Sequence, residues 1–246
     1  MSPYTDYTLL LTVTVCGGIL PALFWLWFWL HEDNKSPEPR GLIIRAFLAG
    51  AVAVPLVLPF QFIVSKYVAG YSVLVFLLWA CIEELFKFGA TFFTIFHRRE
   101  MDEPIDVVIY LITAALGFVA LENVLFLSSP ILQEFSTPFQ VIGTRAVGTM
   151  IDTVITGNLR FMGASLLHVI ASATVGIMIA LVFYRGVRAR FKATLLGLSL
   201  ATVLHAVFNF FIIYKNGENT LIVFSILWLM IAVLMLFFEK IKTLAH

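Results

Sequence analysis

Seven apolar runs, each about 20 residues long, divide the chain. They are Thr8 to Leu30, Leu42 to Val64, Ser72 to Phe96, Ile105 to Leu127, Phe161 to Tyr184, Ala193 to Tyr214 and Thr220 to Phe238. At ~1.5 Å per residue, runs of this length match a hydrocarbon layer ~30 Å thick, so each predicts a membrane-spanning helix. The polar stretches between them, HEDNKSPEPR and HRREMDEP among them, are loop-sized and leave no room for a soluble domain. The pattern predicts an all-α protein, a polytopic transmembrane helical bundle of seven or eight spans, with residues 1–246 forming a single integral membrane domain.

The number of spans turns on Pro138 to Arg160. Lys and Arg cluster at Lys35, Arg40 and Arg45, at Arg98 and Arg99, from Arg185 to Lys192, and at Lys240 and Lys242. The positive-inside rule places these loops in the cytoplasm, the N-terminus outside and the C-terminus inside. The fourth span then ends outside, and the span from Phe161 must also begin outside. The stretch between them therefore does not cross. Within it Ile142, Ala146, Met150 and Val154 recur every four residues, with Arg145, Thr149, Asp152 and Thr156 between, which predicts an amphipathic or re-entrant helix. A different boundary would make it a short eighth span.

Composition agrees. The chain is 61% apolar and 13% charged, with a mean hydropathy of +0.97, far from a soluble domain. A net charge of +1 gives no case for a nucleic-acid partner. Cys16 and Cys81 both fall inside spans, where buried small hydrophobes are expected rather than a disulfide.

Against this background three charged residues stand within one helical turn of the third span: Glu83, Glu84 and Lys87. Each costs about 2.5–3.5 kcal/mol at the bilayer centre on insertion scales, so the group needs partners and is by default functional. The other spans supply Glu122 and Asn123, His168 and Ser172, and His205 and Asn209. Counted from the outer end of each span, Glu83 lies ~11 residues deep, Glu122 ~5, His168 ~7 and His205 ~9, within a layer ~10 Å thick. Glu83 and Lys87, His168 and Ser172, and His205 and Asn209 are four apart, so each pair shares a helix face. Ala164, Ser172 and Gly176 add a small-residue stripe on the His168 face that admits a neighbouring helix.

These residue types restrict the chemistry. Three carboxylates in one low-dielectric site cannot all stay ionised, which suits general acid and base work. Two histidines offer acid and base groups or metal ligands. Asn209 is a neutral donor suited to an oxyanion. Lys87, one turn from Glu83, can hold a carboxylate in place. With no Ser or Cys in a nucleophile setting, attack by an activated water is expected.

The ordered motifs EELFK (Glu83 to Lys87), DEPIDVVIY followed by FVALEN (Asp102 to Asn123), GASLLHVIASATVG (Gly163 to Gly176) and LHAVFNF (Leu204 to Phe210) resemble the PrsW family of intramembrane proteases. That family is grouped with the CAAX prenyl endopeptidases and bacterial Abi proteins. The resemblance runs from about Leu77 to Ile212, inside a catalytic core of about 72–214. It implies Glu83 and Glu84 as water-activating carboxylates, His168 and His205 as catalytic or ligating histidines, Glu122 completing the site, and Asn209 as oxyanion donor. Lys87 and Asn123 would support them. Two positions depart from the pattern: Glu122 stands where prenyl endopeptidases carry His, and Asn209 where PrsW members often carry Asp.

The expectation is an intramembrane endopeptidase in a prokaryotic cell (inner) membrane, hydrolysing a peptide bond of a membrane-anchored protein substrate on the extracytoplasmic side. No cofactor is favoured. Zinc is possible, with His168, His205, Glu83 and Glu122 as candidate ligands. A proton- or cation-coupled transporter and a noncatalytic scaffold of the same fold are the alternatives.

Overall fold

The computed structural model describes residues 3–33, 36–68, 73–135, 150–214 and 220–245, with side chains undescribed at 3–11, 13, 129–135, 150–162, 213–214, 220 and 245. Among the described residues seven α-helices follow one another: α1 (Pro3–Glu32), α2 (Arg40–Tyr67), α3 (Val73–Thr94), α4 (Pro104–Phe135), α5 (Met150–Ala180), α6 (Val187–Asn209) and α7 (Thr220–Lys242). Six are long and apolar enough to cross a membrane. The remaining one, α3, has 22 residues and carries Glu83, Glu84 and Lys87.

Among the described residues, α4 and α5 form the centre. From Ile105 to Ala120 every residue of α4 is buried, as expected of a helix that is apolar on all sides. The outer helices are two-faced. On α2, Gly50, Ala53, Val54 and Val57 are buried, while Leu48, Val52 and Leu56 are each more than half exposed. An apolar outward face is what lipid requires.

Close packing of backbones sets the helix spacing. A Cβ at Gly50 would stand 1.8 Å from the carbonyl oxygen of Ala114, and one at Gly117 would stand 1.8 Å from that of Phe47. The two glycines form a reciprocal seam between α2 and α4. The small-residue stripe on α5 works the same way, since a Cβ at Gly176 would meet the Val108 backbone at 2.8 Å. That approach brings the His168 face of α5 against α4. Pro55 and Pro59 lie inside α2, and neither can donate a helical hydrogen bond.

Several expectations change. Met150 to Arg160 is the first part of α5, continuous with the span that follows, and not a separate amphipathic or re-entrant helix. The preceding part of that prediction, 138–149, lies outside the described residues. Both cysteines are free, but Cys16 is exposed and Cys81 half-buried, so neither is the buried hydrophobe expected.

Pro104 begins α4, a position where its missing N–H costs nothing. Its N-terminus is satisfied by Asp106 reaching back: Oδ2 accepts from the N–H of Asp102 at 3.0 Å and of Glu103 at 2.7 Å. Tyr110 donates its hydroxyl to Glu38 Oε2, and the Glu38 and Asp106 carboxyls are hydrogen-bonded to each other. Beside them, Asp33 is buried, and among the described residues its Oδ2 has no hydrogen-bond partner. Burial lifts the Asp33 carboxyl to about 7, Asp106 adding to the effect and Lys242 opposing it. Burial also raises Glu38, against the bonds from Asp106 and Tyr110.

Candidate active site

About 16 residues along α4 from Asp106, some 24 Å on, the polar residues of four helices meet. Glu83, Glu84 and Lys87 come from α3, Glu122 from α4, His168 from α5 and His205 from α6. All are buried except Glu122, whose side chain is 35% exposed.

Glu84 is the hub. Its Oε1 receives Lys87 Nζ at 2.5 Å and lies 2.8 Å from His205 Nδ1. Lys87 was expected to serve the face of Glu83; it pairs instead with Glu84, three residues back, a spacing that also shares a helix face. The same ammonium reaches His168 Nδ1 at 2.8 Å and stands 5.2 Å from the centre of the Phe118 ring. His168 Nε2 lies 3.0 Å from Glu122 Oε2. The two imidazoles meet edge to face, their centres 5.0 Å apart.

The proton placement follows from donor and acceptor chemistry. An ammonium has only N–H bonds to give, so His168 Nδ1 accepts and its Nε2 carries the proton donated to Glu122. A Glu84 carboxylate is an acceptor, so His205 donates from Nδ1 and its neutral form leaves a lone pair on Nε2. That nitrogen faces Glu83 Oε2 at 3.5 Å. Glu83 Oε2 is buried and, among the described residues, has no hydrogen-bond partner. Its other oxygen, Oε1, accepts from Gln61 Nε2 of α2 at 2.7 Å.

Gln61 was not among the residues singled out in the sequence. Its signal was present: a lone amide within VLPFQFIV, two residues after Pro59 in an apolar span. Asn209, the last residue of α6, is half-buried just before a π-helical turn, Phe210–Tyr214. Among the described residues no hydrogen bond ties it to the cluster. Asn123 is buried, and among the described residues its Nδ2 has no hydrogen-bond partner.

Among the described residues, Glu83, His168 and His205 form the one group with metal-ligand spacing, their ligand atoms within 4.8 Å of one another. Two nitrogens and a carboxylate with an open fourth position are the donor set of catalytic zinc. The unpartnered Glu83 Oε2 fits this, as does His205 with its far nitrogen on a carboxylate. His168 would have to release the proton it shows to Glu122 before Nε2 could bind. Glu122 lies outside the group.

The family model described as PrsW family intramembrane metalloprotease matches residues 38–237. Similar curated proteins include Protease PrsW of Geobacillus kaustophilus, 30% identical over 46% of this chain and 51% of that protein. Protease PrsW of Oceanobacillus iheyensis is 35% identical over 45% of this chain and 52% of that protein. The chain therefore spans about half the length of these two relatives. Protease PrsW of Clostridioides difficile is 26% identical over 86% of this chain and 85% of its own. No solved structure matches at a significant level.

Proposed function

This chain belongs to the PrsW family, and from that premise we propose that it is an intramembrane endopeptidase cleaving a membrane-anchored protein substrate by an activated water. The observation that carries the reading is the buried, unpartnered Glu83 Oε2 facing His205 Nε2. A base must keep one acceptor site open while the rest of its surroundings is ordered, and this carboxylate does so.

In the proposed mechanism Glu83 Oε2 takes a proton from a water as the water oxygen bonds to the substrate carbonyl carbon. The proton passes to His205 Nε2, where Glu84 stabilises the imidazolium through Nδ1–H. His205 then delivers it to the leaving amine as the C–N bond breaks, leaving an acid and an amine. His168 Nε2–H, leaving Glu122 as the oxyanion forms, and the Asn209 amide supply donors for it. Lys87 holds both Glu84 and the His168 tautomer. Glu83, His168 and His205 would hold a zinc ion, which when bound lowers the pKa of its water. We favour a site working without one, because Lys87 directs the His168 proton onto Nε2.

We further propose that the N-terminus lies outside and the C-terminus in the cytoplasm, following the basic loops, so that cleavage falls on the extracytoplasmic side. The deciding experiment is proteolysis of a co-expressed single-span protein by wild type and Glu83→Gln, with the cleavage position mapped. Loss in the variant with folding intact supports the enzyme. Turnover unchanged in Glu83→Gln, or a cut on the cytoplasmic flank, overturns the corresponding part.

A further inference from the structure

We infer that Gln61 is a positioning residue for Glu83, fixing which carboxylate oxygen receives the proton of the attacking water. The inference rests on the protease reading above. Gln61 is held to α3 at both its ends. Its side-chain Nε2 donates to Glu83 Oε1 at 2.7 Å. Its backbone carbonyl accepts from Trp79 Nε1 at 3.3 Å, and also from Ser65 Oγ at 2.7 Å within α2. Trp79 and Glu83 are four residues apart on α3, so they present one helix face. The result is a bracket one helical turn long, with α2 spanning two points of α3.

The donor type matters. Glu84 is occupied by an ammonium and an imidazole N–H, and so is committed to organising its neighbours. Glu83 is gripped by a neutral amide on one oxygen only, and its second oxygen has no hydrogen-bond partner. One donor on one oxygen fixes the carboxyl plane without occupying the lone pairs the chemistry needs. Apolar contacts brace the bracket: Phe60 and Phe86 rings lie 5.3 Å apart, and Ile82 and Phe86 pack against the cluster of Ala53, Val54, Val57 and Phe118. The plain alternative is that Gln61 merely glues α2 to α3.

The test uses the purified full chain in liposomes with a single-span substrate. Gln61→Leu, of similar size, is expected to lower kcat up to about 100-fold, the loss that a small misplacement of a reacting group brings, with KM within about 2-fold. Gln61→Glu, with no amide to donate, should lose as much. Trp79→Phe should lose less, and should add nothing in the Gln61→Leu background, because both act through one bracket. A thermal cycle of Gln61→Leu with Glu83→Leu should be non-additive whether or not the substrate is cut.

Unchanged kcat in folded Gln61→Leu sinks the inference and leaves the protease reading standing. A raised KM with unchanged kcat would make Gln61 a substrate contact and also sinks it. Additive thermal shifts would show that the bracket does not exist. A wild-type chain that cuts nothing, while Gln61 and Glu83 remain thermally coupled, removes the protease reading and the positioning role together.

Discussion

Lys87 on α3 reaches Nδ1 of His168 on α5 across 2.8 Å, and this contact dictates which histidine nitrogen bears the proton. Lys87→Met releases the tautomer and leaves Glu84 buried without its cation. Breaking a buried pair costs about 3–5 kcal/mol, so we expect a large fall in thermal stability together with loss of turnover. Lys87→Arg should not restore activity, because a planar fork does not reproduce a compact ammonium. Melting and turnover of both variants check this.

The two adjacent glutamates should separate by kind of damage. Glu83→Gln keeps an oxygen for the Gln61 donor, so we expect little change in melting temperature and a fall in kcat of about 10²–10⁴-fold. Glu84→Gln strips a carboxylate from Lys87 and His205 together. It should lose stability as well as turnover. Equal melting shifts in the two variants would contradict this division of labour.

Metal content offers an independent check. If Lys87 keeps the His168 proton on Nε2, wild type purified in trace-metal buffer should carry far less than one zinc per chain, and chelation should leave cleavage intact. Stoichiometric zinc that is lost in His168→Ala would instead make Glu83, His168 and His205 its ligands.

Asp33 gives a pH prediction remote from the chemistry. Its folded carboxyl titrates at about 7 against an ordinary 3.8. A raised acid binds its proton more tightly when folded, so its stabilising contribution is complete below about 4 and is lost as pH rises through about 7. Asp33→Asn should gain melting temperature relative to wild type across that window and hold the gain above it. Thermal melts in steps from pH 4 to 9 measure it; a constant difference across the range would contradict the assignment.

Much of the site was legible because membrane burial makes polar residues conspicuous. Glu83, Glu122, His168 and His205 stood out on separate spans at similar depth, and the structure brings them together. The pairings were harder to read. Lys87 stands one turn from both glutamates, and sequence spacing does not distinguish three residues from four on a helix face. Gln61 escaped because a single neutral amide costs less to bury than a charge and shows no periodic partner; its role exists only where α2 crosses α3. The start of α5 was misread for a related reason: an alternating polar and apolar stretch looks separate from an apolar span even when one helix runs through both.

The seam of Gly50 and Gly117 also partitions the chain by what it can tolerate. Any side chain at either position would collide with a carbonyl oxygen at 1.8 Å, so the first half of α2 is written for its neighbour α4. Gln61, about three turns further along the same helix, therefore meets Glu83 from a rod already fixed against α4.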